Sequence, residues 1–425
     1  MRRSRFSLAL LVSGRCNLNC SYCYQDARVC GAEMAWPVAR AALDHLFSSG
    51  ADQHHLELTG GEPLLDPGFV RRCIHYARSG SVADRDVKIV LATNGILLTP
   101  PLLDYFEEMD VALRISLDGV AEAHELRAAG TFSRLDGLLD ELATTRAEYL
   151  RRSVEVGLTL VAGAVPHLAA SVRYVAAKGV PTIRMSPTVT PDGNWTVEHS
   201  AELARQTEGI VDFSIAHWRQ TGHVPVDFLR REPARPEGPP DGFVCGGPSG
   251  NGLCVDPDGH AWACPMLAPS LHRLPPMALG PASALDLGEA RDTALPRRLA
   301  RLPARGRRQP IFTDKTGRYS SYARCRECDV EGECFICPAA ICHGPDSGDP
   351  KRVPDALCAF NRATLHAREQ FRKRTVGDTE APSKGELAAA LKRLTEALVR
   401  AESSPRSKVP RGRRGEPASP ECFQP

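Results

Sequence analysis

Cysteine constrains this chain more than any other residue. Fifteen cysteines stand among 425 residues: three within 16–23, three within 245–264 and six within 325–358, with Cys30, Cys73 and Cys422 left over. Disulfide scaffolds are short secreted chains. This chain is long, and its early apolar stretch Phe6–Val12 is short and lacks a small-residue cleavage site, so it does not read as a signal peptide. In a reducing cytoplasm, the location expected here, clustered thiols hold metal. The formal charge of +2 argues against a dedicated nucleic-acid binder. No apolar run approaches the roughly 20 residues of a membrane helix, so no membrane partner is expected.

Residues 6–190 alternate short β-branched or Leu-rich runs with longer amphipathic stretches. The strand candidates are Phe6–Val12, His55–Leu58, Lys88–Ala92, Val111–Ser116, Glu155–Val161 and Thr182–Ser186. The helix candidates between them are Pro37–Phe47, Pro67–Ala77, Pro100–Met109, Ser133–Arg146 and His167–Lys178. Such alternation predicts a parallel sheet with right-handed crossovers. Six units are too few for a closed eight-stranded barrel, so the expected class is α/β, an open partial (β/α)6 barrel of the TIM type. A helix candidate over Glu198–Arg219 ends this part, 1–229. The proline-rich stretch 230–242 reads as a linker. A cysteine-rich, loop-rich domain is expected over 243–373, with 268–310 looping over its surface and Cys358–Lys373 as a closing helix. Residues 374–425 read as one more helix, with leucines at 387, 391, 394 and 398, and a disordered tail.

Cys16, Cys20 and Cys23 directly follow the first strand. Thiolates at this spacing on a loop can converge on one iron–sulfur cluster, and three ligands leave one iron of a four-iron cluster open. Zinc with a distant histidine is the alternative. Thr59-Gly60-Gly61-Glu62-Pro63, Thr93-Asn94-Gly95 and Ser116-Leu117-Asp118-Gly119 close strands two, three and four. The C-terminal ends of strands are where barrel active sites assemble. Paired glycines let backbone approach a ligand closely. Glu62 can meet an ammonium, and Ser116 a ribose hydroxyl.

Taken together, these residues resemble the radical S-adenosylmethionine superfamily. The match rests on Cys16, Cys20 and Cys23, on Tyr22 in the aromatic place before the third cysteine, and on Gly60-Gly61-Glu62-Pro63. Asn94, Ser116 and Asp118 within their motifs, with His124, Arg127 and Gly130-Thr131-Phe132, resemble the peptide-modifying branch. The resemblance spans about residues 6–190. It implies a [4Fe–4S] cluster whose open iron chelates S-adenosylmethionine, and reductive cleavage of that cofactor to a 5′-deoxyadenosyl radical. It further implies that Gly60, Gly61 and Glu62 hold the methionine amino group, Ser116 the ribose and Arg127 the carboxylate.

The later cysteines, with the Val255-Asp256-Pro257-Asp258-Gly259 turn, resemble the SPASM extension of such enzymes. That resemblance implies two auxiliary iron–sulfur clusters. Cys245, Cys254, Cys264 and either Cys337 or Cys342 would hold one; Cys325, Cys328, Cys334 and Cys358 would hold the other. Four-cysteine zinc sites have similar spacings. Cys30 and Cys73 read as ordinary buried thiols.

The expected activity is radical modification of a ribosomally made precursor peptide by cross-link, thioether or epimerisation, with flavodoxin or ferredoxin as electron donor. The chain starts five residues before its first strand, so a leader peptide is expected to need a separate binding protein or the barrel and auxiliary domain themselves. The alternatives are a sulfatase-maturating, formylglycine-generating enzyme and a non-catalytic iron–sulfur electron-transfer protein.

Overall fold

The structure is a computed structural model and describes residues 5–25, 32–79, 87–189, 194–230, 244–344 and 348–375. Cys30, Cys422, nearly all of the proline-rich linker and the leucine-spaced late helix lie outside the described residues.

Six strands run parallel in chain order: β1 (Arg5–Ser13), β2 (Gln53–Gly60), β3 (Val87–Thr93), β4 (Val111–Ser116), β5 (Val154–Leu160) and β6 (Thr182–Pro187). Each pairs with its successor. Alternation along the strands sorts the two faces. In β5, Val154, Val156, Leu158 and Leu160 are buried, while Glu155, Gly157 and Thr159 are half-buried on the other face. The apolar face is covered by the crossover helices Trp36–Ser48, Pro67–Arg78, Pro100–Glu108, Phe132–Thr145 and Leu168–Ala177. Three of these open with proline in the first turn, where its missing N–H costs nothing. Leu135, Leu138, Leu139 and Leu142 are buried, as their helical spacing requires. The polar face of the sheet lines a lumen. Arg114 lies there between Glu57 and Glu155, at 2.7 and 2.6 Å.

The sheet does not stop at β1. Strand β7 (Gly252–Val255) adds to its free edge in parallel, in the register Ser7↔Gly252 to Leu10↔Val255. Gly252 is needed there, because a Cβ would stand 2.6 Å from the Ser7 carbonyl oxygen. Strands β8 (His260–Trp262) and β9 (Asp286–Glu289) follow antiparallel, giving the order β6-β5-β4-β3-β2-β1-β7-β8-β9. The β7–β8 turn is the expected one. Gly259 sits at φ +94°, and Asp256 Oδ1 accepts from His260 N at 2.9 Å.

One expectation is overturned. Residues 268–310 are not surface loop: they hold β9 and the helices Leu279–Leu285 and Leu295–Gly306. Proline and arginine density masked a helical pattern in which Leu295 and Leu302 are fully buried. Pro296 sits in the first turn of the second helix, and Pro303 is tolerated within it. Cys73 is buried in the core, as expected. Among the described residues no helix is long and apolar enough to cross a membrane.

Candidate functional site

The cysteine loop leaves β1 at Ser13 and is held against the end of β2. Gly61 N donates to Ser13 O at 2.7 Å, and Glu62 N to Arg15 O at 2.8 Å. The contact tolerates no side chain. A Cβ on Gly61 would lie 2.0 Å from Arg15 O, and one on Gly60, itself at φ +131°, 2.4 Å from Ser13 O. The sequence suggested that the glycine pair lets backbone approach a ligand; the backbone it admits is that of the thiol loop. On its other side the loop is tied by Ser21 Oγ, which donates to Leu126 O at 2.7 Å.

Glu62 is fully buried. Its Oε1 accepts from Leu64 N (3.0 Å) and the Thr93 hydroxyl (2.7 Å), and its Oε2 from Asn94 N (2.7 Å). Burial pushes its carboxyl up, and these three donors oppose the shift. The carboxylate therefore fastens the end of β2 to the end of β3 rather than lying open to an ammonium.

Asn94 joins that strand end to the first thiol. Its Nδ2 donates to Asn17 Oδ1 at 2.7 Å and stands 3.9 Å from Cys16 Sγ. Leu18 N donates to the same sulfur at 3.4 Å. Asn17, which sequence reasoning passed over, is thus part of the loop's anchorage. Only its place one residue after Cys16 could have flagged it.

Tyr22, Asp118 and Arg127 converge below the loop. The Tyr22 hydroxyl donates to Asp118 Oδ2 and accepts from Arg127 Nη1 at 2.9 Å. Asp118 Oδ1 takes Thr159 N at 2.9 Å and lies 3.4 Å from Arg127 Nη1. Burial alone would lower the Arg127 pKa, but Asp118, Tyr22 and Cys20 outweigh it and hold the guanidinium charged. Burial raises the Cys20 thiol, and Arg127 is the main opposing influence. Arg127 Nε is buried and has no hydrogen-bond partner.

These groups border a cavity of about 780 Å³. Cys16, Cys20 and Cys23, Gly60 and Gly61, Asn94, Ser116 and Arg127 all line it, with Tyr22, while Asp118 stands behind Tyr22. The cavity continues into the lumen past Glu57, Arg114 and Arg184.

The later cysteines form two groups. Cys325, Cys328, Cys334 and Cys358 surround one small cavity. Two of their sulfurs already receive donors: Ser320 Oγ to Cys358 at 3.1 Å and Asn361 Nδ2 to Cys334 at 3.4 Å. Arg362 lines the same space with a buried Nε that has no partner. Cys245, Cys264 and Cys337 form the second group. Burial pushes Cys245 up to about 11 and Cys264 to about 12, and the mutual proximity of the three thiols adds to it. Cys337 precedes the helix Pro338–His343; burial raises its thiol, and the amides of Ala340 and Ala339 in the first turn of that helix oppose the shift. Cys342 faces the apolar core, with Cys337 as its one thiol neighbour of note. Cys254, on β7, is buried with Leu11, Trp262, Ala268 and Leu271 and lies near Cys264. Among the described residues no three His, Cys, Asp or Glu side chains are drawn together as for a single metal ion.

Comparison with known proteins gives this geometry a context. The sequence model of the radical SAM superfamily matches residues 10–155. An uncharacterized protein of Methanocaldococcus jannaschii is 29% identical over 180 residues, 41% of this chain and 60% of that one. The chain spans between 30% and 60% of the first curated relatives it matches. Among solved structures, anSMEcpe with bound AdoMet and the Cp18Cys peptide superposes with a TM-score of 0.66 at 15% identity. That match covers 88% of this chain and all (100%) of the other. Streptococcus suis SuiB bound to the precursor peptide SuiA superposes with a TM-score of 0.54 at 12% identity, covering 84% and 76%. At such identities the two structures share a fold with this chain. Residues 10–155, built around the cysteine loop and the Gly60-Gly61-Glu62-Pro63 turn, are a radical SAM domain.

Proposed function

We propose that this protein is a radical S-adenosylmethionine enzyme that modifies a peptide, with one [4Fe–4S] cluster on Cys16, Cys20 and Cys23 and two auxiliary clusters on the later cysteines. One observation carries the reading: the three thiols stand at the rim of a large cavity lined from the C-terminal ends of β2, β3 and β4. The donor set fits the group. Three thiols on one loop leave an iron open, and the orphaned Arg127 Nε offers a buried donor for an anionic ligand. When bound, the cluster and S-adenosylmethionine supply a carbon-centred radical by one-electron reduction of the sulfonium.

The chain's own residues bind, orient and exclude water. Gly60 and Gly61 hold the cysteine loop in place and present backbone to the cavity. Ser116, at the end of β4 and on the cavity wall, would bond a sugar hydroxyl. Arg127, fixed by Tyr22 and Asp118, directs positive charge at Cys20 and at a carboxylate in the cavity. Hydrogen bonds to cluster sulfurs and nearby charge set reduction potential. Asn94, Asn361 and Ser320 stand where they would supply such bonds. For the first auxiliary cluster, the grouping of Cys245, Cys264 and Cys337 supports Cys337 over Cys342, with Cys254 as the remaining candidate.

A peptide substrate is supported by the cavity's size and by the fold shared with structures solved with peptides. The test is anaerobic reconstitution, which should give roughly twelve iron per chain, and 5′-deoxyadenosine release with dithionite. The product assay uses short peptides translated from the reading frames that adjoin the gene. Loss of hydrogen mass, or deuterium uptake from D2O, supports peptide modification. Turnover confined to a sulfatase-derived peptide, giving formylglycine, overturns it in favour of sulfatase maturation. Absence of 5′-deoxyadenosine overturns the enzyme reading.

A further inference from the structure

Arg318 is the largest fully buried side chain among the described residues, at 2% exposure. Burying a guanidinium without a close partner charge costs several kcal/mol; among the described residues no carboxylate pairs with it directly, and Asp314 acts on it only from a distance. Its Nη2 donates to Ile311 O at 2.7 Å, and its Nη1 is buried with no partner at all.

Its surroundings supply what is missing. The Arg318 carbonyl accepts from Cys325 N at 2.9 Å. Two residues on, Ser320 Oγ reaches Cys358 Sγ at 3.1 Å. On the other side, Phe312, next to the Ile311 that holds Nη2, accepts from Val244 N at 2.7 Å, so Cys245 follows at once. Arg318 thus lies at the seam between the two later cysteine groups. Burial weakens its hold on the proton, and the influences opposing that are Cys325 first, then Asp314, Cys245 and Cys334, so thiols from both groups act on it together with one aspartate.

We propose that Arg318 is a shared electrostatic partner of both auxiliary clusters: a fixed buried cation that neutralises their thiolates and raises both reduction potentials. This rests on the reading that both groups hold clusters. Thiolate-ligated four-iron clusters carry net negative charge, and a cation held beside them in low dielectric favours the electron-accepting step. One arginine between two clusters acts on both, adding a separate favourable Coulomb contribution to the reduction of each. The role is one of positioning charge; no contact with substrate is implied.

The experiment uses the full reconstituted chain and compares wild type with Arg318→Gln and Arg318→Lys. Iron content is measured first, then potentials by redox titration followed by low-temperature electron paramagnetic resonance. The signal that responds to added S-adenosylmethionine serves as internal reference and should not move. In Arg318→Gln, one-electron reduction of both remaining clusters should become at least tenfold less favourable, a downward shift of about 59 mV or more. Arg318→Lys, which keeps the charge, should stay near wild type. Unchanged auxiliary potentials in a fully loaded Gln variant overturn the proposal. If the Gln variant fails to retain auxiliary iron, the Lys variant decides: retention with wild-type potentials supports the charge role, and loss in both shows packing alone and overturns it. A wild-type content near four iron per chain is a different result, which overturns the auxiliary-cluster reading and this proposal with it.

Discussion

Cys20 is the N-terminal thiol on which the Arg127 charge acts most strongly, beside the buried group that Arg127 forms with Tyr22 and Asp118. Two thiolates cannot retain a cluster that three hold. Cys20→Ala should therefore abolish 5′-deoxyadenosine formation while iron on the later cysteines remains; cleavage of S-adenosylmethionine by the variant would place the radical site elsewhere. A second residue-scale prediction separates two neighbours. Cys337 lies beside Cys245 and Cys264, whereas Cys342 is fully buried with the apolar core. Losing a ligand costs the metal, and losing a core thiol costs packing alone. Cys337→Ala should lose one auxiliary cluster and Cys342→Ala should keep both, as read by iron analysis and electron paramagnetic resonance. Intact auxiliary signals in the first variant with loss in the second would reverse the assignment.

Between elements, the decisive contact is the one that presses the end of β2 onto the thiol loop. Gly61→Ala would drive a Cβ to 2.0 Å from a backbone carbonyl, and backbone on both sides cannot swing away as a side chain can. Overpacking of this kind costs about 1–3 kcal/mol, and here it displaces the loop that carries all three thiols. The expected outcome is loss of the S-adenosylmethionine-responsive cluster with auxiliary iron retained. Gly137→Ala is the control: it lies inside the helix Phe132–Thr145 with nothing within 4 Å of the added methyl, and should stabilise by roughly 0.4–1 kcal/mol. Equal iron in the two variants would remove the glycine pair's claim to hold the loop. The same logic explains Gly252, the residue that lets β7 close against β1.

For the whole molecule, the buried thiols tie stability to pH and to metal. Burial pushes Cys245 up to about 11, and Cys264 and Cys334 to about 12. In the unfolded chain they titrate near about 8.5. A raised folded pKa means the unfolded state releases protons more readily. The stability these thiols contribute to the cluster-free fold is therefore complete below about pH 8.5 and is lost as pH rises toward 11–12. Iron loading has the opposite dependence, because ligands must lose their protons to bind. Cluster-free protein should show a falling melting temperature from pH 8.5 to 10.5, approximate bounds set by the same thiol values, and proton release on iron uptake. Loaded protein should lack that fall. A flat profile for the cluster-free chain would mean these thiols are not buried as neutral groups.

The six parallel strands, the helices between them and the thiol loop after β1 could be read from the amino-acid order alone. These are encoded locally: by alternation in β5, by leucine spacing in Phe132–Thr145, by proline in first turns, and by cysteines three and four residues apart. It misread 268–310, where proline and arginine hid buried Leu295 and Leu302. What the motif residues do emerged only from their partners in the folded chain. Glu62 turned out to tie strand ends together, and the glycines to seat backbone, because both roles depend on partners tens of residues away, at Asn94 and Arg15. Arg318 had no signature at all. An arginine is ordinarily a surface residue, and its worth as a buried cation exists only once two distant cysteine groups fold around it and exclude water.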